Sequence, residues 1–288
     1  MNASTLKLVQ GSTEWLDYRR RMFNASETAA VLGISPWMTP YQLWMLKTGR
    51  STQEVTAPMA RGTRLEPEAR AAYEQQTGQV MQPLVMQDGR FSASLDGINL
   101  AGDLTVEVKC PFRGKQSTLW REAVEGRIPA HYAAQVQHQL MVAGATTAHL
   151  WVYADSEGIL LTVRRDEVLM DTIRAKWDEF AEYLDTHVAP PLTDADSAQR
   201  DDPAWVGAAL AYQEAKRRAE AADEALEAAR KALVGLARHP RETGGGVSVV
   251  RLWKAGAVQY AEIPELRGVD LSRYRGEGRQ ETRVTVAK

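Results

Sequence analysis

Apolar positions in the first 190 residues recur at helical spacing, switch to alternation, and switch back, and these changes mark the elements. Asn24-Ala-Ser-Glu27 has the form of a capping box opening a short helix that Gly33 closes. Thr39-Pro40 opens a second helix, with Gly49 just beyond its end. A third runs from about Pro58 to Thr77, where Gly78 stops it; Pro67 inside it predicts a kink or a late start. Segments 82–87, 91–96 and 104–109 then read as strands, separated by Asp88-Gly89 and a turn region at 97–103. In the last of these, Leu104, Val106 and Val108 alternate with Thr105, Glu107 and Lys109, which predicts Glu107 and Lys109 on one face. A helix over 129–142, strands near 148–154 and 158–165, and a helix over 166–187 with Leu169, Ile173, Phe180 and Leu184 on its buried stripe complete the series. This order predicts an α/β or α+β domain over residues 1–190.

Beyond Pro190-Pro191 the text becomes polar and turn-rich to Asp202, and 191–202 reads as a linker. Residues 203–288 read as an extension. In it Trp205, Ala208, Tyr212, Ala215, Ala219, Ala222, Leu226, Ala229, Leu233 and Leu236 recur at spacings of three and four, a heptad seam rich in alanine. Such a seam serves either a contact within the chain or a coiled coil with another subunit. A hairpin is expected after it, with strands near 247–253 and 258–263 turning at Ala255-Gly256, and a further strand at 281–286.

Composition changes this picture little. Of 288 residues 44% are hydrophobic and 25% charged, ordinary values for a globular protein. The single cysteine, Cys110, excludes an intrachain disulfide and fits a reducing cytoplasm. No 18-residue apolar run exists, and the first residues lack the apolar centre of a signal peptide, so neither a membrane span nor export is expected. The net charge of −2 gives no global sign of nucleic acid, although residues 203–288 carry a balance of +4 and residues 1–202 one of −6.

The candidate chemistry lies in Ser94-Leu95-Asp96-Gly97 followed by Glu107-Val108-Lys109. Two carboxylates on neighbouring strands can hold a hard cation such as Mg²⁺ through oxygen. Such an ion polarises a phosphate and acidifies water, while a lysine on the same strand face offsets charge developing on the phosphate. Alone, an E-x-K on a strand face is ordinary solvated charge.

The surrounding text alters that weighting. Gln10-Gly11-Ser12 with Glu14-Trp15 and Arg19, then Ala25-Ser26-Glu27, resembles the opening of the lambda exonuclease/YqaJ-type viral recombinase (alkaline exonuclease) family. The same order continues in Leu32-Gly33-Ile34-Ser35-Pro36-Trp37 with Thr39-Pro40-Tyr41, Gly62 with Glu66-Pro67, S-x-D-G at 94–97, E-V-K-C-P-F at 107–112 and Tyr132-x-x-Gln135-Val136-Gln137. The resemblance covers residues 8–187. It implies a PD-(D/E)xK restriction-endonuclease-like core, a central mixed sheet flanked by helices. It further implies that Asp96, Glu107, Glu66 and the Val108 carbonyl ligate two Mg²⁺ or Mn²⁺ ions, and that Lys109 and Gln135 complete the catalytic site. Arg19 and Ser26 match residues that hold a terminal 5′-phosphate. The implied activity degrades one strand of linear duplex DNA 5′ to 3′, leaving 3′ overhangs for phage-type recombination. It implies further a homo-oligomer such as a trimeric ring around DNA ends, and a phage- or prophage-encoded protein in the bacterial cytoplasm. Leu95 stands where the nuclease signature often has proline.

Two other readings stay open: a structure-specific endonuclease or nickase on the same fold, and a module that loads a single-strand-annealing recombinase through residues 203–288. His131 and His138 are not spaced for zinc with Cys110, which reads as packing. Trp15, Trp37, Trp44 and Trp120 read as core or interface residues, and Arg267, Arg273, Arg275, Arg279 and Arg283 as surface charge.

Overall fold

In the computed structural model a mixed sheet forms where the alternating segments were expected; residues 3–254, 256, 257, 263, 264 and 269 are described. Its strands are β1 (Ser4–Leu6), β2 (Phe23–Asn24), β3 (Met81–Asp88), β4 (Phe91–Asn99), β5 (Leu104–Lys109), β6 (Thr147–Ala154) and β7 (Glu157–Arg164). The order is β1-β3-β4-β5-β6-β7, with β2 also paired to β4. The pairings β5·β6 and β2·β4 are parallel and the others antiparallel.

Helices cover both faces of the sheet. On one side α6 (Ala130–Ala143) and α7 (Glu167–Thr186) close a core in which Phe23 stacks on Trp177 at 4.6 Å and in which Leu95, Ile98, Val136 and Leu140 are buried. On the other, Ala69 and Tyr73 of α4 (Ala57–Thr77) pack on Val106, Val108 and Trp151. The two faces of β5 are therefore both covered, and Thr105 and Glu107 are as buried as Val106 and Val108. An alternation that reads as half-exposed is here a central strand whose polar face meets a helix.

Local signals set most boundaries. Thr39 and Gln42 form the capping box of α3 (Pro40–Lys47), Thr56 caps α4, and Asp166 caps α7. The helix of α4 is continuous through Pro67. At Asn24 the expectation fails: its side chain accepts no capping bond, and its amide donates to Glu27 Oε2 at 2.9 Å and to the carbonyls of Arg19 and Met22. A 3-10 turn at Ala25–Glu27 and the short α2 (Thr28–Val31) replace one capped helix. Strand β4 runs on to Asn99, so the turn before β5 is shorter than 97–103. Elements outside the expected set are β1, β2, α1 (Thr13–Arg21), capped by Ser12, and α5 (Thr118–Val124), capped by Ser117.

The chain separates into two units, Met1–Ser197 and Ala198–Lys288. Part of the polar stretch after Pro191 belongs to the first, where Thr39 Oγ1 donates to Asp196 at 2.5 Å. The second contains α8 (Pro203–Leu236) and a hairpin of β8 (Arg241–Gly244) and β9 (Val247–Val250). The hairpin turns at Gly245-Gly246, both at positive φ, as a two-residue turn with both central residues left-handed favours glycine; Ala255, in the turn expected further on, lies outside the described residues. The strand expected near 258–263 lies, but for its last residue, outside the described residues, as do 281–286 and Arg267, Arg273, Arg275, Arg279 and Arg283. Among the described residues no helix is long and apolar enough to cross a membrane.

Candidate active site

The edge of β4 that faces β5 is shared by two strands. Phe23 and Asn24 pair with Phe91 and Ser92, while Val106 and Thr105 pair with Gly97 and Ile98. Residues 93–96 between them have neither partner along that edge, and Asp96 sits at the point of divergence. Its Oδ2 accepts the Val108 N–H at 2.8 Å, so a side chain stands in for a missing ladder bond. On the other edge of β4 the register slips: Gln82 pairs with Ile98 but Leu84 with Leu95, leaving Pro83 opposite both Asp96 and Gly97. Proline has no N–H to donate, and a bulge of this kind re-aims the side chain it carries. Gly97 is required by close approach, since a Cβ there would stand 2.7 Å from Met81 Cβ and 2.9 Å from Val106 Cγ1.

The second carboxylate is held on all sides. Glu107 is 3% exposed, and its Oε1 accepts Lys109 Nζ at 2.5 Å and Gln135 Nε2 at 2.6 Å. Its Oε2 accepts Gln139 Nε2 at 2.5 Å. Gln135 and Gln139 are one turn apart on α6, so a single helix face supplies both amides. Lys109 Nζ also lies 3.4 Å from Gln135 Oε1 and 5.0 Å from the centre of the Tyr132 ring. From the opposite side of the sheet α4 contributes Glu66, whose Oε1 lies 3.3 Å from Arg70; Arg70 also donates to the Asp96 carbonyl at 3.0 Å.

These groups line one cleft of about 1070 Å³ containing Glu66, Asp96, Glu107, Val108, Lys109 and Gln135, with Trp37, Met59 and Phe112 among its apolar walls. Trp37 is exposed and packs edge-on to His131 at 4.9 Å. The electrostatics follow from three acids sharing a desolvated site. Burial, then Glu107, then Glu66 hold the Asp96 carboxyl well above the usual range, against the pull of Lys109 and the Val108 N–H. Burial also raises Glu66, with Arg70 opposing and Glu107 adding to the rise. Burial disfavours the Lys109 ammonium, but Glu107, Tyr132 and Asp96 outweigh it and keep Lys109 charged. The Cys110 thiol is pushed up to about 11 by burial and by Asp96, so it is protonated and a poor nucleophile at neutral pH.

Among the described residues no three His, Cys, Asp or Glu side chains already enclose a point suited to a metal ion. The partners of Glu107 explain this, because its oxygens are turned to an ammonium and two amides. The donor set nevertheless has the chemistry of a hard divalent site, being carboxylate oxygen throughout. The Asp96 carboxyl is raised first by burial and then by the neighbouring carboxylates Glu107 and Glu66.

Arg19 and Ser26 form a separate cluster, and neither lines this cleft. Arg19 Nη2 donates to Ser26 Oγ at 2.8 Å and lies 3.4 Å from Glu27, with its guanidinium 4.6 Å from the Trp15 ring centre. Lys47 Nζ, almost fully buried, pairs with Glu27 at 2.7 Å and caps the Met22 carbonyl. Trp15 Nε1 donates to Ser94 Oγ at 3.0 Å, which ties this cluster to β4 two residues before Asp96. His138, by contrast, is a core residue: Nδ1 lies 2.6 Å from Thr28 Oγ1, and Phe91 and Trp177 meet its ring edge-on.

Sequence reading did not assign Gln139, Tyr132, Arg70 or Lys47 to these clusters. The signal for the first two was present, since Tyr132, Gln135 and Gln139 share one helix face. The i,i+4 spacing of Glu66 and Arg70 was a signal for Arg70, while none points to Lys47, which acts through a long side chain from another helix.

Comparison with known proteins agrees with this fold. The model of the YqaJ-like viral recombinase domain matches residues 14–146. Uncharacterized protein YqaJ of Bacillus subtilis (strain 168) is 24% identical over 169 residues, covering 56% of this chain and 52% of the relative. The chain thus spans about half the length of that curated relative. The crystal structure of the alkaline exonuclease LHK-Exo from Laribacter hongkongensis superposes with TM-score 0.53 at 27% identity, covering 61% of this chain and 94% of that one. The same enzyme in complex with dAMP gives TM-score 0.54 at 25% identity over the same shares. The mixed sheet with helices on both faces is accordingly the PD-(D/E)xK core shared with these structures. Over residues 14–146, somewhat under half of its length, this chain is similar to the YqaJ-like viral recombinase domain.

Proposed function

We propose that the chain is a metal-dependent exonuclease that degrades one strand of linear duplex DNA, 5′ to 3′, and leaves 3′ single-stranded overhangs for recombination. The observation that carries this reading is the gathering in one cleft of Asp96, Glu107 and Lys109, from strands that diverge at Asp96, with Glu66 from α4. Kinship with an alkaline exonuclease supports it.

Asp96, Glu107 and Glu66, with the Val108 carbonyl, would hold two Mg²⁺ or Mn²⁺ ions. The cation supplies charge that polarises the phosphodiester and makes water more acidic. Lys109, fixed against Glu107 and the Tyr132 ring, places a positive charge where the phosphate gains negative charge and orients the attacking water. Gln135 and Gln139 hold Glu107 in its rotamer, and Arg70 anchors both Glu66 and the Asp96 main chain. Arg19 and Ser26 present a guanidinium and a hydroxyl 2.8 Å apart, a pair suited to the two oxygens of a terminal 5′-phosphate. In this reading the protein acts on DNA ends as a homo-oligomer in the cytoplasm of a bacterial host, delivering its product to a single-strand-annealing recombinase.

The test compares linear duplex labelled at either end, with and without 5′-phosphate, against covalently closed circles. An end-dependent exonuclease releases the 5′-labelled nucleotide first and leaves circles intact. Cleavage of closed circles at a comparable rate rejects this reading in favour of an endonuclease on the same fold.

A further inference from the structure

Helix α8 is 34 residues long, about 50 Å, and buries none of its side chains. Its seam positions are all exposed: Trp205 is 52% accessible, Leu226 66% and Leu236 74%. A long helix with an exposed apolar stripe is the kind of surface that a partner helix packs on. The seam is also asymmetric. Written as a heptad, one of its two positions carries Trp205, Tyr212, Leu226 and Leu233 around a central alanine, while the other is alanine at four places of five.

That asymmetry selects the partner and its direction. In a parallel pair of copies, identical positions face each other, so leucine meets leucine in one layer and alanine meets alanine in the next. No single helix separation suits both. In an antiparallel pair the two seam positions face one another. Leu226 then packs over Ala215 and Leu233 over Ala208, while Ala219 meets Ala222 at the centre and Trp205 meets Leu236 at the ends. Large is set against small through the body of the helix and every seam residue finds a counterpart.

Charge agrees with the same register. The flanking position on one side of the seam carries Lys216 and Asp223, which face each other across the antiparallel pair, twice by two-fold symmetry. Lys216 is half-exposed, with Glu220 of its own helix 3.7 Å away, and is within reach of a second acid. We infer that α8 joins two copies of this chain as an antiparallel coiled coil in which Leu226 packs on Ala215 and Lys216 pairs with Asp223 of the second copy.

Sedimentation equilibrium on the full chain tests this. Wild type should have a mass of an even number of copies at micromolar concentration, and Leu226→Glu should halve it, with far-ultraviolet dichroism showing the chain still folded. Lys216→Asp or Asp223→Lys alone should weaken the association roughly tenfold, and the double exchange should restore it. Ala208→Cys with Leu233→Cys should form an interchain disulfide on mild oxidation, since these positions are about 37 Å apart along one helix and cannot join within it. A wild type that is monomeric or trimeric, a mass unchanged by Leu226→Glu, or a double exchange no better than either single change overturns the proposal. Cross-linking of Ala208→Cys to itself across the two copies overturns the antiparallel direction.

Discussion

Gln139 Nε2 lies 2.5 Å from Glu107 Oε2, on the opposite side of that carboxylate from Lys109. Gln139 and Glu107 are both buried, so this bond fixes an acid that lines the cleft. Gln139→Met removes the donor while keeping length and apolar volume. Outer contacts of this kind typically change metal affinity or activity about 10–100-fold when lost. The expected result is a loss in that range at limiting Mn²⁺, partly recovered at saturating Mn²⁺, with the melting temperature measured alongside. A variant whose metal dependence equals wild type would show that Gln139 serves packing alone.

Gly97 adjoins Asp96 at the bulge, and any side chain there meets Met81 and Val106. Gly97→Ala should destabilise the chain by about 1–3 kcal/mol, the usual cost of overpacking a filled core. Urea denaturation measures this. Because the clash lies beside the carboxylate, activity should fall further than the loss of folded protein accounts for.

His138 makes stability depend on pH. Burial pushes its imidazole down to about 3, against an ordinary value near 6.5. Between those values the unfolded chain binds a proton that the folded chain does not, so stability rises with pH across this window and this residue's contribution levels off above it. Below pH 6.5 the loss due to His138 should approach about 1.4 kcal/mol per pH unit. His138→Gln should flatten that slope in denaturation curves taken at pH 4.5 to 7; an unchanged slope assigns it to other groups.

Arg19→Ala removes the cation of the Arg19–Ser26 pair and leaves the Asp96 cleft intact. On linear duplex the preference for 5′-phosphorylated over 5′-hydroxyl ends should fall at least tenfold, as expected for the loss of a charge-assisted contact of about 1.5–3 kcal/mol. Cleavage once begun should be less affected. An undiminished preference would place the end-recognition site elsewhere.

The core was legible because its strands and helices carry their signals locally. The caps at Thr39 and Asp166 and the left-handed glycines at 33, 49 and 78 bound helices where the text says they should. The carboxylates and Lys109 were legible as a motif, though alternation alone suggested an exposed strand face where α6 in fact covers Glu107. Three kinds of feature were not legible. The pairing of β2 with β4 is two residues long and depends on the whole sheet. The bulge at Pro83 shows only when both strands are placed together. Lys47 reaches Glu27 from another helix, a contact no spacing encodes. In the second unit the glycine pair at 245-246, which the conformational demand of a tight turn favours, was not singled out in the sequence.

The account depends most on a divalent cation held by the carboxylates of this cleft. Calorimetric titration of Mn²⁺ into wild type and Asp96→Asn, paired with cleavage of linear duplex by the same samples, addresses that directly. Saturable uptake by wild type, lost in Asp96→Asn together with cleavage while duplex binding persists, is the predicted result. Equal uptake by both proteins, or full cleavage in the presence of excess chelator, would contradict it.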